Sequence, residues 1–194
     1  MRKAKSARKS ARTRKSTDPG ARTVYLGLGS NLGDRGASLA AALDRIALMA
    51  PLSRVSSVYE SDPVGFELQP RFWNLVAAIE WGAPALALLS GLKAIERSLG
   101  RRRTFRNGPR TIDCDILDFG GRVATGERLT LPHARLAERR FVLAPLAEIA
   151  PRWRHPVLGL TARQLLRRRP TRPYVKRLRA SSILRGLPGH RSGA

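Results

Sequence analysis

Between residues 23 and 119 the apolar residues change period in a fixed order, and that order restricts the fold more than any other property of the chain. Residues 23–29 have the β-branched and aromatic content of a strand. Residues 36–49 then repeat Leu39, Leu43 and Ile46 at helical spacing, with Asp34 placed as a cap. Residues 52–59 and 72–81 read as two more strands, separated by a polar, Pro/Gly-containing loop over 60–71. Pro84 opens a second helix with Leu88, Leu92, Ile95 and Leu99 on its apolar face, and Gly100 stops it. Residues 111–119 form a fourth strand. The succession β-α-β-β-α-β is the split-βαβ, or ferredoxin-like, arrangement. It predicts an α+β fold, with an antiparallel sheet and both helices on one of its faces. Residues 142–149 add a short helix against the core, and no internal repeat is present.

Composition sets the limits of that core. The 194 residues are 42% hydrophobic, enough for one domain with tails. A single cysteine excludes an internal disulfide and a cysteine-based zinc site, and allows a reducing compartment. No apolar run reaches the ~20 residues of a membrane span, and residues 83–92 read as a buried helix. The net charge of +23 suggests nucleic acid until it is located. Residues 1–20 hold eight Lys/Arg and one acid, and residues 161–194 hold ten and none, so the charge belongs mostly to the ends. Residues 1–21 read as a disordered basic tail, 22–160 as the folded domain, and 161–194 as a basic extension in which a short helix can pack. Either end can touch polyanions non-specifically. Against a nucleic-acid-binding module stand the 6% aromatic content and the absence of an aromatic-interleaved basic strand.

The fourth strand carries the chemistry. Alternate side chains share a face, so Asp113 and Asp115 point the same way, while Cys114 and Asp118 face away. Two like charges on one face suit a hard divalent cation, and Mg²⁺ takes one or two carboxylates plus substrate phosphates. Arg101, Arg102, Arg103, Arg106 and Arg110 lie just upstream, and guanidinium forks suit phosphate oxygens. Together they suggest phosphoryl-group transfer from a nucleotide. Taken without its neighbours, Asp-x-Asp is as often a surface ion-pair pattern. The glycines of residues 27–33 read mainly as a tight strand-to-helix turn.

Several short motifs then fall in one order: Gly29-Ser30-Asn31-Leu32-Gly33, Ser56-Ser57-Val58-Tyr59, Pro63-Val64-Gly65, Phe72-Trp73-Asn74, Glu96-Arg97, Gly100-Arg101, Gly108-Pro109-Arg110-Thr111-Ile112-Asp113-Cys114-Asp115, Leu129-Thr130-Leu131-Pro132-His133 and Arg139-Arg140-Phe141. Over residues 23–155 the chain resembles the 6-hydroxymethyl-7,8-dihydropterin pyrophosphokinase family of the folate pathway. The resemblance implies transfer of diphosphate from ATP to the pterin hydroxymethyl group, giving the pterin diphosphate and AMP. It implies Asp113 and Asp115 as ligands of two Mg²⁺ ions, with Arg101 and Arg110 as catalytic phosphate-binding residues beside them. Arg103 matches a third arginine on a closing loop. Glu96, Ile116, Arg128, Leu129, Thr130 and His133 match positions around the ATP. Phe72 and Phe141 match a pair that stacks on the pterin, Asn74 an amide that reads its edge, and Ser61, Asp62 and Val64 a loop that completes the pocket. A cytoplasmic monomer is expected. An inactive pterin- or nucleotide-binding relative is disfavoured by the intact acid pair. Phe72 stands where tyrosine is common, Asn107 where some members carry tryptophan, and Ala134 where tyrosine is common. The arginine loop is also slightly short. These departures bear on loop closure and nucleotide affinity rather than on the chemistry.

Overall fold

The computed structural model describes residues 20–102 and 105–178. The expected tail over residues 1–19 lies outside them, as do residues 179–194. The order is β1 (Arg22–Ser30), α1 (Arg35–Met49), β2 (Leu52–Val55), β3 (Tyr59–Ser61), β4 (Phe72–Trp81), α2 (Ala85–Ser98), β5 (Asp113–Phe119), α3 (Arg140–Ile149), α4 (Ala162–Arg167) and β6 (Val175–Arg177). The sheet runs β5-β1-β4-β3-β6, with β2 also paired to β4, and every pairing is antiparallel. This is the α+β, ferredoxin-like order that the apolar periods predict.

Alternation along β1 separates two cores. Val24, Leu26 and Leu28 pack with Leu39, Leu43 and Ile46 of α1 and Leu88, Leu92 and Ile95 of α2. Tyr25 points to the other face, where Val76 and Ala78 of β4 meet Leu143 and Leu146 of α3 and Leu165 of α4. Each helix follows local chemistry. Asp34 caps α1 by accepting the Ala37 N–H at 2.9 Å. Thr161 and Gln164 form a reciprocal capping box on the short α4.

Three local readings are corrected. The expected strand over 52–59 is two strands on one edge of β4. Ser56 interrupts them, its N–H and Oγ both bonded to Val76, at 2.9 and 3.0 Å. Asp118 does not face away from the acid pair. A register shift in the β1–β5 ladder sets Leu26 opposite Ile116 and Tyr25 opposite Asp118, so Leu117 and Asp118 both turn toward the α3 side. The extension beyond residue 161 packs the expected short helix, α4, and adds a sixth strand that was not expected, β6, paired with β3.

Candidate active site

The site forms on the α3 face of the sheet because β1 lacks side chains there. Gly27 and Gly29 leave a floor that no other residue type provides. A methyl group on Gly29 would lie 3.0 Å from Asn74 Oδ1, and one on Gly27 would lie 3.2 Å from Leu117. Around this floor is a cleft open to solvent, lined by residues of β1, β4, β5 and α3.

One end of the cleft is aromatic, with Arg110 5.3 Å from the centre of the Phe72 ring and Arg139 5.6 Å from that of Phe141. Phe72 on β4 and Phe141 on α3 line it, with Val64 of the β3–β4 loop and Val142 nearby. Asn74 is buried among them and donates to Ser61 Oγ at 2.9 Å. Ser61 and Asp62 complete this wall.

The other end is ionic. Asp113 and Asp115 line the cleft together with Arg110 and Arg139. Arg110 Nε lies 3.4 Å from Asp113 Oδ2, and Arg101 pairs with Asp113 Oδ1 and with Glu96. Burial would raise the Asp113 carboxyl, but Arg110 and Arg101 outweigh it and hold it below the ordinary range. For Asp115 burial dominates, the Asp113 charge adds to it, and the carboxyl is pushed up to about 6. Arg139 Nε is buried with no hydrogen-bond partner among the described residues. A buried cationic donor left open in this way fits an incoming anion. Two oxygen-donor carboxylates beside it fit Mg²⁺, whose remaining ligands come from phosphate and water.

Support comes from behind the strand. Glu96 of α2 is 3% exposed, so it is not the solvated helix charge that its position alone suggests. It accepts the Cys114 N–H at 2.7 Å and binds Lys93 at 2.8 Å as well as Arg101. This fixes β5 and Arg101 in one frame. Asn31, 2% exposed, accepts the Arg110 N–H at 2.8 Å and donates to Gln69 Oε1 and Pro70 O. It thereby joins the β1–α1 turn to both flanking loops.

The remaining described nucleotide candidates are not among the residues that line this cleft. Arg128 is exposed, and Leu129 and Thr130 are half-buried beside a short antiparallel bridge between Ala124 and Leu131. His133 follows, with its N–H on Leu117 O at 2.9 Å at the end of β5. Burial lowers its imidazole from the ordinary value, and nearby Arg139 lowers it further, which favours the neutral ring. Its Nδ1 accepts the Arg135 N–H at 3.1 Å. The Ile116 side chain does not reach the cleft but packs in the α1–α2 core, 3% exposed. Arg103 lies outside the described residues. Sequence reasoning read Gly27 and Gly29 mainly as part of a turn and gave no role to Asn31, Lys93 or Arg139. The alternation of glycines on β1 was the available signal for the first two.

The chain is similar in sequence and in fold to known proteins. Residues 25–151 match the family described as 7,8-dihydro-6-hydroxymethylpterin-pyrophosphokinase (HPPK). The 2-amino-4-hydroxy-6-hydroxymethyldihydropteridine pyrophosphokinase of Bacillus subtilis is 47% identical over 128 residues, which cover 65% of this chain and 77% of that protein. Its namesake from Pseudomonas aeruginosa is 47% identical over 135 residues, covering 69% and 83%. The folic acid synthesis protein FOL1 of Dictyostelium discoideum is 37% identical over 149 residues, but these cover 23% of its length, so the chain spans less than a quarter of that relative. The crystal structure of wild-type Plasmodium falciparum HPPK-DHPS shares the fold, with a TM-score of 0.62 at 15% identity over 78% of this chain and 45% of that one.

Proposed function

Because the chain belongs to the 7,8-dihydro-6-hydroxymethylpterin-pyrophosphokinase family, we propose that it transfers diphosphate from ATP to 6-hydroxymethyl-7,8-dihydropterin in folate biosynthesis. The substrate hydroxyl oxygen forms a bond to the β-phosphorus, and the bond from that phosphorus to the α-bridging oxygen breaks. The products are the pterin diphosphate, AMP and a proton.

One observation carries this reading: a single cleft has an aromatic, amide-edged end and an ionic end with two carboxylates among arginines. Phe72 and Phe141 suit the faces of a flat heterocycle, and Asn74 suits its polar edge. Ser61, Asp62 and Val64 close that end. Arg101, Arg110 and Arg139 suit the phosphates, and Arg103 is a further candidate from the sequence alone. The guanidinium fork matches phosphate oxygens. Glu96, Arg128, Leu129, Thr130 and His133 remain the candidates for holding the rest of ATP, while Ile116, whose side chain lies in the α1–α2 core, offers only main-chain groups. Of these, Glu96 acts through Arg101 and Lys93 rather than by touching the nucleotide.

Asp113 and Asp115 are the residues that would hold two Mg²⁺ ions. When bound, these supply charge neutralisation on the phosphates and activation of the hydroxyl. The protein's own part is positioning. The aromatic end orients the hydroxymethyl group toward the ionic end, and the arginines fix the triphosphate against it. Non-specific polyanion contact through the basic ends, a monomeric state and a cytoplasmic location belong to the same reading.

Incubation with hydroxymethyldihydropterin, ATP and Mg²⁺ should yield AMP. ADP instead would mean single-phosphoryl transfer and would exclude the proposal. Asp115→Ala should abolish AMP formation with an unchanged circular dichroism spectrum, and retained turnover would remove the acid pair from the chemistry.

A further inference from the structure

Residues 174–178 lie beyond the matched residues 25–151, yet they reach back to the substrate end of the cleft. β6 pairs with β3, placing Val175 opposite Ser61. Where that ladder ends, the chain meets Asp62 twice. The Asp62 N–H donates to Tyr174 O at 3.1 Å, and the Tyr174 N–H donates to Asp62 Oδ2 at 3.2 Å. Arg71 donates to the other carboxylate oxygen, Oδ1, at 2.9 Å. The same guanidinium lies 4.6 Å from the centre of the Tyr174 ring. Both Asp62 oxygens are therefore already bonded within the protein.

The other end of β6 holds the opposite wall. Arg177 donates to Ser57 Oγ at 2.8 Å and lies 3.4 Å from Glu148 of α3. Glu148 also accepts from Ser57 and, at 2.9 Å, from the Tyr59 hydroxyl. The helix that bears Glu148 also presents Phe141 and Val142 to the cleft. β3 has only three residues and is followed by a long loop. Alone on its edge it would be weakly ordered, because so short a strand offers few ladder bonds.

We infer that residues 174–178 clamp the pterin-binding wall, with Tyr174 and Asp62 as positioning residues that preorganise the loop after β3. A wall already in its bound shape loses less freedom when ligand arrives. The inference rests on the reading of Ser61, Asp62, Val64 and Asn74 as pterin contacts. It gives the C-terminal segment a task confined to one of the two substrates.

The test uses full-length protein and measures two dissociation constants by calorimetry. One is for a non-hydrolysable ATP analogue with Mg²⁺, the other for hydroxymethylpterin added to that complex. Tyr174→Ala removes the ring under Arg71 and should weaken pterin about fivefold, leaving analogue affinity within twofold. Tyr174→Phe keeps the ring and should restore pterin affinity. Asp62→Ala removes the acceptor of both the Tyr174 N–H and Arg71 and should weaken pterin as well. Parallel loss of both ligands, or unaltered pterin affinity in Tyr174→Ala, would each overturn the clamp. Asn74→Ala separates the premises. If it binds pterin like the parent protein, the assignment of the pterin wall fails and the clamp with it. If it binds weakly while Tyr174→Ala does not, only the clamp fails.

Discussion

Gly29 shows how much of the site depends on a missing side chain. Its neighbour across the ladder is Asn74, whose Oδ1 would lie 3.0 Å from an added methyl carbon. That separation is tighter than most side chains adopt, and the Asn74 amide is already tied to buried Ser61. Gly29→Ala must therefore displace the amide by a few tenths of an ångström. A small misplacement in a positioning site costs binding rather than folding. The expected result is a pterin KM raised about tenfold with the melting temperature nearly unchanged, checked by steady-state kinetics and calorimetry. An unaltered KM would mean that Asn74 does not read the substrate. Charged and aromatic candidates such as Asp113, Asp115, Phe72, Asn74 and Phe141 were legible in the sequence because residue type and spacing announce them. Gly27 and Gly29 were read only as a turn, because a glycine that makes room looks the same in sequence as one that bends the chain. Arg139 stood inside a recognised motif, but its role depends on an unpartnered Nε that only the fold reveals.

At the level of elements, periodicity predicted the helices and the sheet order, and failed where one residue slipped. Residues 113–117 of β5 alternate as expected, but the shift beside Tyr25 turns Asp118 toward α3. There it is 1% exposed, accepts the Gly121 N–H at 3.1 Å and lies near Trp153 and His155. Burial holds its carboxyl above the ordinary 3.8, against the opposing pull of that N–H. The sign follows from linkage. A carboxyl whose folded pKa is raised favours the folded state fully below 3.8, and that contribution is lost as pH rises through the folded value. Asp118→Asn keeps an acceptor for Gly121 without the buried charge. It should melt at or above the parent temperature at pH 7, and the advantage should vanish below pH 3.8. Thermal melts across that range check this, and a variant less stable than the parent at pH 7 would contradict it. Leu92 on α2 is an ordinary core contact by comparison. It is fully buried beside the helix residues that carry Lys93 and Glu96. Leu92→Ala should cost about 2–5 kcal/mol in denaturant unfolding. β6 went unread as a strand because residues 175–177 are Val-Lys-Arg within an arginine-rich run. Charged side chains do not prevent main-chain pairing, and sheet edges commonly carry them.

Across the whole molecule, charge and chemistry occupy different regions. No acidic residue follows Glu148 in the sequence, and Arg152, Arg154, Arg163, Arg167, Arg168, Arg172, Lys176 and Arg177 are all exposed. At the acid pair, by contrast, Arg101 and Arg110 are paired with Asp113. These two populations should respond differently to salt. Contact between an exposed basic surface and a polyanion releases counterions, so its affinity falls steeply with ionic strength and ignores base sequence. Binding to heparin or to unrelated oligonucleotides should therefore weaken by orders of magnitude between low and physiological salt. Reversing Arg163, Arg167 and Arg168 to Glu together should reduce that binding, while kcat for AMP formation stays within about twofold, because α4 contributes no cleft residue. Removing residues 1–19, with their eight Lys/Arg, should act in the same direction and leave turnover within a few-fold. Filter binding over a salt series, run beside the AMP assay, measures both quantities on the same proteins. If charge reversal on α4 removed turnover together with heparin binding, the basic face would belong to the reaction. If oligonucleotide affinity held constant with salt or depended on sequence, the chain would carry a specific nucleic-acid site, contrary to the assignment of its charge to solvated ends.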